Sequence, residues 1–211
     1  MIRTLNVVGV SGSLHAPSRT IALLDGIIDA LGRTLPIEAH RIRVDELGPE
    51  FAGVLHREDL PDSVEREVRA IERADLLVVA SPVYRASFTG LFKHLFDFVD
   101  QYALVDTPVL VAATGGSERH ALIIEHQLRP LFGFFQALTL PVGVYAHDSD
   151  FTDYRITAPL LGERIDKAIA RGLPLIRSNL AERDRIARAL ESRPEEELVT
   201  AGDRRPVRLL S

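Results

Sequence analysis

Apolar positions along this chain fall into two alternating patterns. Short continuous apolar runs cover Leu5–Val10, Leu76–Ala80, Pro108–Ala113 and Val142–Ala146. Runs of that length, apolar throughout, predict strands buried on both faces of a parallel sheet. Ile37–Val44 alternates imperfectly, through Ile37, Ala39, Ile42 and Val44, and predicts a strand nearer an edge. Between the runs the period changes to that of a helix. Ile21, Leu24, Ile28 and Leu31 form a stripe on Arg19–Leu31. Asp62–Ala74 is charged and amphipathic, with Pro61 and Asp62 as start signals. Further helices are predicted over Phe88–Tyr102, over Arg119–Leu138 with Pro130 inside it, and over Arg164–Leu190, with Gly172-Leu173-Pro174 as a candidate break. Gly48–Pro61 shows no period and carries two prolines, so it reads as a loop. Strands alternating with helical crossovers predict an α/β fold, a five-stranded parallel sheet with helices on both faces. Residues 1–190 form one domain in this reading, and the charged segment 191–211, with Pro194 and Pro206, reads as a mobile tail.

Composition narrows the partners more than the fold. At 211 residues and 46% hydrophobic content the chain has enough apolar surface for one core. A net charge of −5 and a pI near 5.8 argue against a nucleic-acid surface. No apolar run approaches the ~18–20 residues that span a bilayer, so no membrane partner is expected. The absence of cysteine excludes disulfides, thiolate metal sites and a thiol nucleophile. The chain opens on a strand-like segment with no charged and apolar leader, which points to a cytoplasmic protein.

In a sheet of this kind ligands sit outside the carboxyl ends of the strands. The segments after strands one, three and four therefore carry the candidate chemistry. The first, from Ser11 to Thr20, combines Ser11, Ser13, Ser18, Arg19 and Thr20 at the start of a helix. Unpaired helix-start amides, the positive end of the helix dipole, hydroxyls and a guanidinium all suit an anion. The segment lacks the glycine pattern of a dinucleotide or P-loop site. Hydroxyls in place of glycines suit a terminal phosphomonoester, hence a mononucleotide such as FMN. The second segment is Ser81-Pro82-Val83-Tyr84-Arg85-Ala86-Ser87, and the third is Thr114-Gly115-Gly116-Ser117. The histidines are scattered, and His120 and His126 stand six apart, not at metal-binding spacing. No metal site and no catalytic side chain are assigned.

The three segments together carry a family resemblance. Gly12-Ser13 with Ser18-Arg19-Thr20, then Ser81-Pro82-Val83-Tyr84-Arg85-Ala86-Ser87-Phe88-Thr89-Gly90 before Phe92-Lys93, then Thr114-Gly115-Gly116, resemble the NAD(P)H-dependent FMN reductases of flavodoxin-like fold. Residues 3 to 176 look most like the reductase components of two-component alkanesulfonate and methanesulfonate monooxygenases. The resemblance implies that the first loop binds the flavin phosphate, and that the second and third wrap the ribityl chain and ring. It also implies hydride transfer from NADH or NADPH to FMN, and release of FMNH2 to a partner monooxygenase through a transient contact, in sulfonate sulfur metabolism. A homo-dimer or homo-tetramer is expected.

In those roles Pro82 stiffens its loop and leaves neighbouring amides to face the ring. Val83 and Tyr84 offer an apolar and aromatic wall, and Gly115 and Gly116 let a ring edge approach backbone. Phe88, Leu91, Phe92, Leu95, Phe96 and Val99 form a helical stripe that reads as core or subunit interface. Hydride transfer asks for placement of two cofactors and not for a general base. The alternatives are a flavodoxin-like electron carrier and an NAD(P)H quinone or azo reductase with bound FMN. His126 stands where alkanesulfonate reductases place a tyrosine with a π-bulge, and its role is left open.

Overall fold

The computed structural model describes residues 3–191. The tail expected at 191–211 lies, past Glu191, outside the described residues. Four full strands, β1 (Leu5–Ser11), β2 (Ile37–Arg43), β3 (Leu76–Pro82) and β4 (Pro108–Gly115), form a parallel sheet in the order β2-β1-β3-β4. The fifth position is shared by two short strands, β5 (Leu138–Thr139) and β6 (Val144–His147), each paired parallel to β4. The run expected as one strand over Val142–Ala146 is therefore displaced and supplemented. Pro141 lacks the donor a ladder needs. At Gly143 an added Cβ would lie 2.7 Å from the Ile124 side chain and 3.0 Å from the Val111 carbonyl oxygen, so only glycine fits where the chain passes between β4 and the 124–128 segment.

Both faces of the sheet are covered, as continuous apolar strands require. Val8, Val10, Leu77, Val79, Val109 and Val111 face one layer, built from α2 (Val44–Phe51), α3 (Asp62–Glu72), α4 (Gly90–Asp97) and α5 (Arg129–Phe134). Val7, Leu76, Val78, Leu110 and Ala112 face the other, built from α1 (Arg19–Thr34) and α6 (Pro159–Glu191). Between β6 and α6 a tight hairpin pairs β7 (Phe151–Thr152) with β8 (Arg155–Ile156).

Four predicted elements change. The loop expected from Gly48 opens inside helix α2, which contains both Gly48 and Pro49. Val44, Gly48 and Phe51 are its buried positions, and a Cβ at Gly48 would lie 2.9 Å from Leu91. The helical period is real, but a glycine holds one of its core positions. The helix expected over Phe88–Tyr102 contracts to Gly90–Asp97, while Phe92, Leu95, Phe96 and Val99 lie in the core as the stripe predicts. The long helix expected over Arg119–Leu138 divides into a 3-10 turn (Glu118–His120), a π-helical segment (Ile124–Leu128) and α5. Pro130 then falls at the second position of α5, directly after the π-helical segment. The last helix starts earlier than Arg164 and runs unbroken through Gly172-Leu173-Pro174.

Candidate functional site

The chain leaves β1 for β2 on one side of the sheet and reaches β3 on the other, so the crevice opens between the carboxyl ends of β1 and β3. A cleft of about 360 Å³ lies there, within the usual range of ~300–1,000 Å³ for small-molecule sites. Ser13, Ser18, Arg19 and Thr20 line it from the first loop. Pro82, Val83 and Tyr84 line it from the second, and Thr114, Gly115 and Gly116 from the third. The structure thus brings together ten of the residues singled out in the sequence.

Hydrogen bonds lock the three segments to each other. The Thr20 and Thr114 hydroxyls are 2.6 Å apart, tying the start of α1 to the end of β4. Thr89 donates its hydroxyl to the Gly12 carbonyl at 2.7 Å, tying the first loop to the start of α4. Val83 donates its amide to the Thr114 carbonyl at 2.8 Å. That bond corrects one expectation, because the amide following Pro82 is spent within the sheet and does not face a ligand. Tyr84 and Ser87 exchange backbone hydrogen bonds around Arg85 and Ala86, both left-handed with φ of 50° and 67°. Such angles are unfavourable for residues with a Cβ and persist only where surroundings enforce them. Ser87 is held in turn by Gln127, whose side-chain oxygen accepts its hydroxyl at 3.1 Å.

The donor inventory of the first loop is smaller than its composition. Ser11 is fully buried behind the cleft, where its hydroxyl oxygen accepts the Ser13 amide at 3.4 Å. Ser13 spends its hydroxyl proton on the His15 carbonyl at 2.9 Å. Ser18 is the N-cap of α1, its oxygen accepting the Thr20 amide at 3.1 Å. What remains is the Ser18 hydroxyl proton, one proton of the Thr20–Thr114 pair, the amides of the first helical turn at Arg19 and Ile21, and the Arg19 guanidinium. Several donors and one positive charge at a helix N-terminus fit a phosphomonoester. The Val83–Tyr84 wall, with Tyr84 more than half exposed at the mouth, fits a flat heterocycle. The residues present therefore suit FMN.

Besides Ser11, two positions carry roles other than those expected. Arg85 stands outside the cleft lining, with its guanidinium carbon 5.7 Å from the Tyr84 ring centroid. At Gly115, which lines the cleft, an added Cβ would fall 2.5 Å from the Tyr145 hydroxyl, so the missing side chain also makes room for Tyr145. Burial pushes the Tyr145 hydroxyl up from its ordinary range, and the hydroxyl donates its proton to the Ser117 carbonyl at 2.6 Å.

Leu14, His15, Thr89, Asp148 and Tyr154 also line the cleft and were missed. Asp148 directly follows β6, so applying the strand-end rule to the fifth strand would have found it. Tyr154 had no such signal. It sits in the β7–β8 turn with Asp153, both left-handed, at positions where glycine or asparagine is the usual mark of a hairpin. His126 lies in the π-helical segment, exposed, and borders a smaller cavity of about 160 Å³ with Val83 and Ala86. A larger cleft of about 590 Å³ lies on the far side of the 147–150 turn, lined by His147, Asp150, Arg164 and Lys167 among others.

Comparisons with known proteins agree with this geometry. Residues 5–152 match the model of the NADPH-dependent FMN reductase family. The chain is 53% identical over 187 residues to the NADH-dependent FMN reductase SfnF of Pseudomonas fluorescens, covering 89% of this chain and all of that one. It is 51% identical over 175 residues to an FMN reductase (NADPH) of Pseudomonas aeruginosa, covering 83% of this chain and 94% of that one. Among solved structures it is similar to an oxidoreductase from Corynebacterium diphtheriae, with a TM-score of 0.74, 33% identity, and coverage of 83% and 98% of the two chains.

Proposed function

This chain belongs to the NADPH-dependent FMN reductase family, and on that premise we propose how its cleft serves hydride transfer from NADH or NADPH to FMN. The protein is an oxidoreductase of flavodoxin-like α/β fold whose cofactors are FMN and a nicotinamide nucleotide. Bound in the cleft, FMN would supply the hydride-accepting centre. Arg19, the first-turn amides of α1 and the Ser18 and Thr20 hydroxyls hold its phosphate. Val83 and Tyr84 would support the ring, and the 114–116 segment would border the rest of the flavin. The observation that carries this reading is the meeting of an anion-binding helix start and an apolar wall in one cleft. Hydride transfer depends on placing the two rings face to face, so the residues here bind and orient, and no side chain is required to move a proton.

Reduced FMN then passes to an FMNH2-dependent monooxygenase in sulfonate metabolism, as the sequence resemblance implies. The openness of the cleft mouth, where Tyr84 and Tyr154 are about half exposed, supports a flavin that enters and leaves. A homo-oligomer is the further expectation. Leu122 and Phe134, 60% and 65% exposed on the 118–134 segment, supply apolar surface for a second copy. The protein acts in the cytoplasm in this reading. Among the described residues no helix is long and apolar enough to cross a membrane.

The reading is tested by following NADH and NADPH oxidation with and without added FMN, beside the flavin absorbance of the purified protein. Turnover that requires added FMN is expected. Tightly retained flavin that oxidises nicotinamide slowly would instead favour the electron carrier. Arg19→Ala should weaken FMN binding by roughly 1.5–3 kcal/mol, the scale of hydrogen bonds to a charged group. An unchanged affinity in a fluorescence titration would remove the phosphate from this loop.

A further inference from the structure

Arg19 already has an anion. Its Nη1 lies 3.5 Å from Asp148 Oδ1, with both side chains 45% exposed, and its guanidinium carbon stands 6.0 Å from the Tyr154 ring centroid. Both partners belong to the segment that follows β6 and lines the cleft. The same turn carries a second carboxylate with a different task. Asp150 is buried, and its Oδ2 accepts the His147 amide at 2.8 Å and Arg164 at 2.6 Å, so it holds the turn together. Among the described residues Asp148 has no such structural bond, and its side chain faces the phosphate loop. It also stands against the third loop, since a Cβ on Gly116 would lie 3.4 Å from Asp148 Oδ2.

We propose, resting on the assignment of the first loop as the phosphate site, that Asp148 competes with the flavin phosphate for Arg19 and thereby keeps FMN exchangeable. Two effects act in the same direction. In the free protein Asp148 neutralises Arg19, so an entering phosphate must displace an ion pair. In the complex a phosphomonoester of about −1.5 to −2 charges stands beside a carboxylate of the same sign. The ion pair at 3.5 Å is longer than a hydrogen bond and open to water, which makes it easy to exchange. Asp148 is thus a positioning residue, acting on the ligand through Arg19 and leaving the reacting atoms untouched. A diffusible product requires such moderated affinity, whereas a carrier that retains its flavin would do better without the carboxylate.

The test is a fluorescence titration of FMN and of riboflavin, which lacks the phosphate, against the parent protein, Asp148→Asn, Asp148→Ser and Arg19→Ala. Both Asp148 substitutions should lower the FMN dissociation constant by about two- to fivefold, the scale of an exposed charge interaction. Riboflavin affinity should not move, and the FMN gain should shrink in high salt as screening removes the competition. Stopped-flow release of FMN from Asp148→Asn should be slower than from the parent. FMN affinity that is unchanged or weaker in both variants, with their melting temperatures retained, would overturn the proposal. So would riboflavin tightening as much as FMN, since the carboxylate would then act on the ring or ribityl chain. An unchanged FMN affinity in Arg19→Ala would fail at the earlier step, the phosphate site itself, and would take the competition down with it.

Discussion

Asp75 has opposing influences acting on one carboxylate. Burial pushes it up, but hydrogen bonds from Arg3 at 2.6 and 2.7 Å and from the Asn6 amide at 2.9 Å outweigh burial and hold it below its ordinary range. Its neighbours come from the start of β1 and, through Arg183 at 3.6 Å, from α6, so this side chain joins one end of the sheet to the last helix. A lowered folded value means that the unfolded chain binds the proton first. The stabilisation is complete above the ordinary aspartate value of about 3.9 and is lost as pH falls through the lower folded value. Asp75→Asn should therefore cost about 1–3 kcal/mol near neutrality. Urea unfolding of both proteins at falling pH should show the gap closing in acid, and a gap that stays constant would show that charge is not what Asp75 contributes. The same contrast between composition and role governs the first loop. Five hydroxyl and guanidinium residues were legible there, but which hydroxyls keep a free proton depends on Thr114 and His15, residues in other parts of the fold or loop.

Among the elements, α6 departs furthest from its own propensities. Pro174 lies exposed inside a helix that continues for more than three turns on either side. The helix survives because Ala168, Ile169, Ile176 and Leu180 are buried against the sheet, and Gly172 comes so close to Leu140 that an added Cβ would lie 2.5 Å away. Tertiary packing outweighs a local cost of about 3 kcal/mol for proline in a helix interior. Pro174→Ala should accordingly raise stability by roughly 1–3 kcal/mol, read as a higher denaturant midpoint at unchanged slope. A loss of stability would mean that the helix is bent at Pro174 to fit the sheet. In α2 the same override hid an element altogether, since Gly48 and Pro49 broke the apolar period that Val44 and Phe51 complete. In the 118–134 segment the periodicity was present but not its kind. A π-turn differs from an α-turn by one residue per cycle, and five residues are too few for the apolar pattern to show it.

For the molecule as a whole, the described residues already form a sheet covered on both faces and a cleft at its carboxyl edge. Removing residues 192–211 should leave FMN reduction largely intact. That segment is rich in arginine and glutamate, holds Pro194 and Pro206, and offers little apolar surface to bury. A truncated protein that fails to fold or assemble would place the tail on a neighbouring surface.

What the sequence determined by itself is whatever repeats or stays local. Continuous apolar runs specify buried parallel strands, and alternation of strands with helices specifies the layered sheet. Clustered polar residues at strand ends specify where a ligand site must open, because strand ends converge once the sheet forms. The tertiary structure decided what depends on distant partners. It set the interrupted fifth strand, where Pro141 and the tightly packed Gly143 separate β5 from β6, and the unbroken α6, where burial overrides proline. It also brought Asp148 and Tyr154 to Arg19. Those residues are more than a hundred positions from Arg19 along the chain, and no local pattern encodes a meeting that exists only after the sheet brings the segments following β1 and β6 to the same cleft.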